Sequence, residues 1–263
     1  VAMSPVTPKK ALGQHFLADD NILRVIDRLA GLEATDVVLE IGPGLGVLTR
    51  LLSDRVAHVH AIEIDRSLEL SLRDTLAGRE NVELVWGDAL TLDLGALDPV
   101  PNKLVANLPY NVATPIVAET IVALSALRLW CVMVQREVAD RFFATPSTKA
   151  YGAVSVLVQL ATRRTGFHPV SRHVFRPPPR VDSALVAFER VEAPSRLAEV
   201  RAVVEAAFAH RRKTLPNSVS LAGLCDRDRA VAALAAMGLE ARVRAEELAP
   251  AQFVSLEEAL RSC

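Results

Sequence analysis

Three short runs rich in β-branched residues, Val37–Ile41, Val59–Ile62 and Val82–Val85, are separated by stretches whose apolar residues recur at helical spacing, Val47–Leu52 and Leu68–Leu76. That alternation restricts the fold sharply. Consecutive strands joined by helical crossovers lie parallel, and a parallel sheet must be covered by helices on its faces. Two more strands, Lys103–Ala106 and Leu129–Val134, flank a helical stretch at Val112–Leu124 and extend the same sheet. A well-capped helix at Asp20–Leu29 precedes it, and Ala184–Glu189 returns as a strand. The expected architecture is an α/β, Rossmann-like doubly wound sheet.

The chain has 263 residues, enough for one catalytic α/β domain and a smaller appendage. The larger domain is expected to span residues 1–192. Beyond Pro194 the sequence turns Ala/Leu/Arg/Glu-rich with helical spacing at Val200–Phe208, Ala230–Met237 and Gln252–Leu260. Residues 193–263 are therefore expected to form a small helical domain. No apolar run approaches the roughly 18–20 residues that span a bilayer. Val1–Lys10 lacks the apolar core of a signal peptide, so a cytoplasmic location without a membrane partner is expected.

The three cysteines form no C-x-x-C pair, which argues against a disulfide framework or a structural zinc site. His58 and His60, on one strand, are assigned a structural role, and no metal is expected. The net charge of −1 conceals an asymmetry. Residues 1–127 carry 10 Lys/Arg against 17 Asp/Glu, residues 128–180 carry 9 against 2, and residues 181–263 carry 11 against 12. The middle segment is a candidate basic face for phosphates.

Chemistry-bearing residues stand at successive strand ends. Glu40-Ile41-Gly42-Pro43-Gly44-Leu45-Gly46 follows the first strand and precedes a helix, where glycines admit a ligand close to the backbone and a helix N-terminus offers N–H groups. A dinucleotide fold wants G-x-G-x-x-G, but position 47 is Val, and the spacing is G-x-G-x-G. Glu63 ends the next strand, 21 residues after Gly42, where a carboxylate can accept both hydroxyls of a ribose; Asp65 is the alternative. Gly87-Asp88-Ala89 ends the third, with Asp88 able to accept an exocyclic amine of a cofactor adenine. Singly, each acid reads as a surface charge or a helix cap. Together they indicate an adenosine-containing cofactor.

Asn107-Leu108-Pro109-Tyr110 ends the fourth strand. An aromatic amine such as adenine N6 is a poor nucleophile because its lone pair is delocalised. Two acceptors on its N–H bonds, the Asn107 side-chain oxygen and the Leu108 carbonyl, pull the nitrogen toward tetrahedral geometry, while Pro109 stiffens the turn and Tyr110 stacks on the base. A base taken out of its stack needs a second flat surface. Phe175 is the candidate, with Arg176 and Arg180 beside it as phosphate contacts and Pro177-Pro178-Pro179 stiffening the loop; its alternative role is a buried anchor. Lys9-Lys10-Ala11-Leu12-Gly13-Gln14-His15-Phe16-Leu17 forms a basic and polar arm before the first helix.

These segments, with Gln135–Ala139, Phe175–Ser183 (F-x-P-P-P-x-V-D-S) and His210-Arg211-Arg212-Lys213-Thr214-Leu215, resemble the KsgA family of small-subunit ribosomal RNA adenine dimethyltransferases over nearly the whole chain. The resemblance implies a class I methyltransferase domain using S-adenosyl-L-methionine. It implies cofactor contacts at His15, Leu17, Gly42, Glu63, Asp88 and Asn107, with Gly44 and Ala89 lining the cleft. Asn107, Leu108, Pro109 and Tyr110 are the catalytic set it implies, and RNA contacts fall to Phe175, Arg176, Arg180, Arg211, Arg212 and Lys213. The implied substrate is a pair of adjacent adenines in a hairpin near the 3′ end of 16S rRNA, on an assembling small subunit. Many relatives carry Asn where His15 stands.

The Erm-type 23S rRNA methyltransferases share the motif set, but Gly42–Gly46, Leu108 and Phe175–Ser183 resemble the KsgA type better. A non-catalytic ribosome-assembly factor on the same fold would not need an intact Asn107–Tyr110. A nicotinamide-dependent oxidoreductase would need the missing glycine, and no phosphate-binding P-loop or G-x-S-x-G elbow is present.

Overall fold

A computed structural model describes Lys9 and residues 14–262; Lys10 and Gly13 of the expected arm, and Cys263, lie outside the described residues. In chain order the elements are β1 (Phe16–Leu17), α1 (Asp20–Ala30), β2 (Val37–Ile41), α2 (Val47–Ser53), β3 (His58–Glu63), α3 (Glu69–Thr75), β4 (Val82–Trp86), β5 (Lys103–Asn107), α4 (Ala113–Ala123), β6 (Leu129–Gln135), α5 (Arg136–Phe142), α6 (Ala153–Ala161), β7 (Thr162–Val170), β8 (Phe175–Arg176) and β9 (Ser183–Arg190). Helices α7 (Leu197–Phe208), α8 (Leu215–Leu221), α9 (Arg227–Ala236) and α10 (Pro250–Ser262) follow.

The main sheet runs β4-β3-β2-β5-β6-β9-β7. Pairings β2–β3, β3–β4, β2–β5 and β5–β6 are parallel, and β6–β9 is antiparallel. The chain winds outward from β2 to β4, then returns to lay β5 on the other side of β2. Ligands of such sheets bind where the winding reverses, beyond the carboxyl ends of the strands. Here that point lies between β2 and β5.

Local chemistry sets the boundaries. Asp19 caps α1 by accepting from the Asn21 and Ile22 amides, and Gly31 ends the helix in the left-handed conformation at φ 52°. Ile22, Ile26 and Ala30, spaced for one helical face, enter a core with Val38, Leu52, Val59, Val105, Met133 and Leu185. On the other flank Trp130 stacks on Phe188 at 5.5 Å, its Nε1 donating to Thr120 Oγ1 at 3.0 Å.

The chain divides into two compact units, and not at a single boundary near residue 192. One comprises residues up to Ala139 together with Arg164–Arg190; the other comprises Asp140–Arg163 and Val191–Cys263. The second unit thus takes in α6 as well as the C-terminal helices. Within it Phe208 stacks on Phe253, and the buried Tyr151 hydroxyl donates to the Leu248 carbonyl at 2.8 Å.

At the opposite end of the first unit's sheet from the strand-end motifs, Asp36 is wholly buried against Lys103 (2.7 Å) and Arg128 (2.6 Å), and accepts the Glu33 amide at 2.7 Å. Burial alone would raise this carboxyl, but Lys103, the Glu33 amide and Arg128 hold it below its ordinary range. Its stabilisation is therefore full above the unfolded value of about 3.9 and is lost as pH falls through the lower folded value. Asp36→Ala leaves Lys103, 4% exposed, without its counter-charge and with only the Gly31 carbonyl as acceptor. Denaturant titration at neutral pH is expected to show a loss of about 3–5 kcal/mol, and a loss under 1 kcal/mol would assign the pair no structural role.

Candidate active site at the sheet switch point

Strands β2 and β5 pair only at Val38–Lys103 and Leu39–Leu104. Past those residues the strands part, and a cleft opens between their carboxyl ends. Its walls include Glu40, Gly42, Gly44 and Glu63 on one side and Asn107, Leu108, Pro109 and Tyr110 on the other, with His15 and Leu17 from the arm. The glycine loop is shaped by close approach: at Gly42 (φ 76°) a Cβ would lie a tight 3.2 Å from the Pro109 ring. A Cβ at Gly44 (φ 61°) would lie 3.0 Å from the Phe16 ring.

The amides of the three loop glycines are committed within the protein. Gly42 N donates to Ile62 O, Gly46 N to Pro43 O, and Gly44 N to Glu63 Oε2 at 3.2 Å. Helix α2 is a single short segment of seven residues. The three glycine amides are thus not available to an anionic group, which accords with the absence of the dinucleotide spacing.

Two buried carboxylates face this cleft. Glu63, 5% exposed, also accepts the Asp65 amide at 2.9 Å; burial raises its carboxyl, opposed in part by these amides. Glu40 is 1% exposed, and its Oε2 has no hydrogen-bond partner among the described residues. Burial, reinforced by Glu63, pushes Glu40 up to about 8. Asp65, the alternative to Glu63, is taken up elsewhere: it accepts from Lys9 Nζ (2.6 Å), Gln14 Nε2 (2.8 Å) and Ser67. Burial opposes its ionisation, but these bonds outweigh it and hold it far below the usual range.

The arm roofs the cleft and is tied at both ends. Lys9 and Gln14 hold it to Asp65, and β1 pairs with β8, Phe16 opposite Arg176 and Leu17 opposite Phe175. Asn107 Nδ2 donates to the His15 carbonyl at 3.1 Å. A carbonyl can only accept, so the amide nitrogen is fixed on the arm side and Oδ1 is turned the other way. His15 Nδ1 lies 2.8 Å from the Pro177 carbonyl and so must donate to it. In the neutral ring Nε2 is then an acceptor. The Tyr110 ring stands 5.5 Å from that of His15, and its hydroxyl meets Ser183 Oγ.

Three expectations change. Phe175 is 1% exposed and packed into the core with Leu17, Val170 and Leu185, because the β1–β8 pairing turns it inward; it is the buried anchor and not a stacking surface. Asp88 and Ala89 lie outside the cleft lining: Asp88 is exposed beyond β4 and accepts the Leu90 amide, while Ala89 is buried. Arg211 reaches the Tyr151 carbonyl at 3.0 Å and Glu246 at 3.4 Å, so it braces its own unit, whereas Arg212 and Lys213 are exposed. Arg176 and Arg180 are exposed and border an open groove with Pro177–Pro179, Tyr110 and Gln135. The sequence reading gave no role to Glu40 and none to Phe16. An acid inside the apolar run Val37–Ile41 was the available signal for the first; for the second there was none.

A parallel sheet with its cleft at the switch point, a buried carboxylate at the end of β3 and a G-x-G-x-G loop beside it define a class I S-adenosylmethionine-dependent methyltransferase. Residues 6–262 match Ribosomal RNA adenine dimethylase. The chain belongs to that family, whose members are rRNA adenine dimethyltransferases. It is 50% identical over 95% of its length, and 94% of the relative's, to Ribosomal RNA small subunit methyltransferase A of Rubrobacter xylanophilus, and 44% identical over 95% of its length to that of Kineococcus radiotolerans, 85% of which is covered. Among solved structures, a dimethyladenosine transferase from Plasmodium falciparum superposes with a TM-score of 0.75 at 25% identity, covering 92% of this chain and 96% of that one. The 23S rRNA methyltransferase ErmE superposes at 0.63 with 31% identity, covering 94% and 99%.

Glu63→Ala is expected to weaken S-adenosylmethionine binding about tenfold or more, since hydrogen bonds to a charged group are worth roughly 1.5–3 kcal/mol. Calorimetry measures this. Because the folded carboxyl lies above the ordinary glutamate value, affinity should also fall as pH drops through that raised value, and Glu63→Gln should flatten the dependence. A folded Glu63→Ala variant with the parent's affinity would remove the ribose assignment.

Proposed function

We propose that this chain transfers methyl groups from S-adenosylmethionine to N6 of two adjacent adenines in a hairpin near the 3′ end of 16S rRNA, on the small ribosomal subunit in the cytoplasm. The observation that carries the reading is the Asn107 amide, locked by the His15 carbonyl so that its oxygen is turned away from the arm. No described helix is long and apolar enough to cross a membrane. The small-subunit assignment rests on 50% identity to a relative so named, against 31% to ErmE.

The residues present fit the cofactor. Glu63 would hold the ribose, and His15, Leu17, Gly42, Gly44 and Asn107 would enclose the rest. The unpartnered Glu40 Oε2 adds a buried polar atom to the same walls. The cofactor supplies an electrophilic methyl group.

The protein's task is to present a lone pair to it. Asn107 Oδ1 and the Leu108 carbonyl accept the two N6–H bonds, drawing the nitrogen out of conjugation. Tyr110, its hydroxyl fixed by Ser183, offers a flat surface to the base. No general base is needed for attack, because the proton leaves only after the nitrogen has become positive. The count of N–H bonds also sets the product: after one transfer one remains to be held, and after two none does. Arg176, Arg180, Arg212 and Lys213 are assigned to phosphates, which position the enzyme and carry no sequence information.

The decisive experiment is single-turnover methyl transfer to small subunits lacking these modifications, with both substrates saturating. Asn107→Ala is expected to slow it by about 10² to 10³, the usual cost of a lost preorganised polar contact. Asn107→Asp, which keeps two acceptors, should retain more. A rate for Asn107→Ala equal to the parent's would reduce Asn107–Tyr110 to a structural turn.

A second measurement addresses the RNA face. Replacing Arg212 and Lys213 with Ala should reduce the slope of log affinity against log salt by about 0.7–0.9 per lost phosphate contact while leaving cofactor affinity intact. An unchanged slope would return both residues to the solvated surface.

A further inference from the structure

On β3 and β4, at the end of the strands away from the cleft, three potential metal ligands converge. His58 and His60 lie on β3 two residues apart, and so on one face, and Glu83 stands directly across from His60 on β4. Their donor atoms all lie within 4.8 Å of one another. His60 is wholly buried, His58 has 22% of its side chain exposed, and Glu83 51%.

The hydrogen bonds define what His60 can do. Its Nε2 is 2.8 Å from the Pro99 carbonyl, which can only accept, so that nitrogen carries a proton. In the neutral ring Nδ1 is then the lone-pair nitrogen, yet it faces a Glu83 carboxylate oxygen at 2.8 Å. Two lone pairs so placed require a positive species between them, either a proton or a metal ion. His58 favours the metal. Its Nε2 is buried without a hydrogen-bond partner among the described residues and lies 3.8 Å from the same Glu83 oxygen. A proton joins two atoms, whereas here three donors meet.

We propose that His58 Nε2, His60 Nδ1 and Glu83 bind a divalent late transition-metal ion, with zinc the preferred occupant. Two imidazoles and a carboxylate suit zinc, and bonds of 2.0–2.2 Å place tetrahedral ligands roughly 3.3 Å apart, a value bracketed by the observed 2.8 and 3.8 Å. The Pro99 carbonyl supplies the outer hydrogen bond that metal-binding histidines require, fixing the tautomer that leaves Nδ1 free for the metal. The exposed side of Glu83 leaves an entry path and room for water as a fourth ligand. Such an ion would clip β4, the outer strand of the sheet, to β3. It takes no part in methyl transfer, because the cleft lies at the strands' other end.

The test uses full-length protein without a polyhistidine tag, stripped with chelator and desalted. Zinc is titrated in competition with a chromophoric chelator, and cobalt by its visible absorption. One ion per chain is expected, with a cobalt spectrum of low coordination number and a zinc-dependent rise in Tm. His60 is left intact, since emptying a wholly buried position threatens the fold. His58→Gln and Glu83→Gln, at accessible side chains, should each weaken binding at least tenfold and abolish the rise in Tm, while unliganded Tm and methyl transfer stay near the parent's. Absence of saturable one-to-one binding in the parent, or binding of parental strength in both variants, overturns the proposal and leaves His60 and Glu83 as a hydrogen-bonded ion pair.

Discussion

The site exists because two parallel strands stop pairing before they end. Strands β2 and β5 share a ladder only through Leu39 and Leu104, and everything chemical in the cleft lies just beyond. Parting strands would ordinarily expose unpaired backbone and loose loops. Here the gap is bridged by contact instead: the Pro109 ring sits where a side chain on Gly42 would be, and the Gly42 amide is held by Ile62 O of β3. The glycine loop and the Asn107–Tyr110 turn therefore fix each other's position, and neither can be altered in shape without moving the other. The Asn107 turn and the glycine loop are parts of one packed unit.

A second level of constraint comes from the arm. Its attachments are chemically diverse: ion pairing of Lys9 to Asp65, backbone pairing of β1 with β8, the His15–Pro177 hydrogen bond and the Phe16 ring over Gly44. Together they join the arm to three segments of the same unit, at Asp65, at Gly44 and at Phe175–Pro177. The His15 carbonyl then orients Asn107. An orienting bond is only as exact as the backbone that provides it, so the arm's several anchors bear directly on how well the amide oxygen is aimed. That gives a physical reason for a conspicuous polar and basic segment to precede the first helix without touching the reacting atoms through its side chains.

How much of this was legible follows from where each signal resides. Strand-end acids and the Asn107 turn are local patterns whose chemistry is written in consecutive residues, and Glu63 and Asn107 stand in the cleft as expected. Phe175 was misread because its fate depends on pairing with Leu17, far away in the chain, and nothing beside Phe175 indicates that it turns inward. Arg211 was misread for a similar reason: its acceptors, Tyr151 and Glu246, belong to distant segments. The single expected domain boundary failed because α6 joins the C-terminal helices, which no compositional change at Asp140 announces. The unit boundary is a fact about packing, and packing is what a linear reading sees least well.

The charge pattern now has a mechanical sense. Acids dominate residues 1–127, and several are occupied in holding the fold together: Asp36 with Lys103 and Arg128, Asp65 with the arm, and Glu63 with the glycine loop. The excess of base in residues 128–180 includes Arg176 and Arg180, which remain exposed along the groove beside Tyr110. Net charge sums internal carboxylates with external guanidinium groups and so says little about what RNA meets at the surface. Potential at a groove depends on which charges stay solvated and close to it, since others are paired or lie beyond a Debye length of about 8 Å at physiological salt. A chain with a net charge of −1 can therefore present a cationic edge to a phosphate backbone while its acids serve the interior and the cofactor cleft.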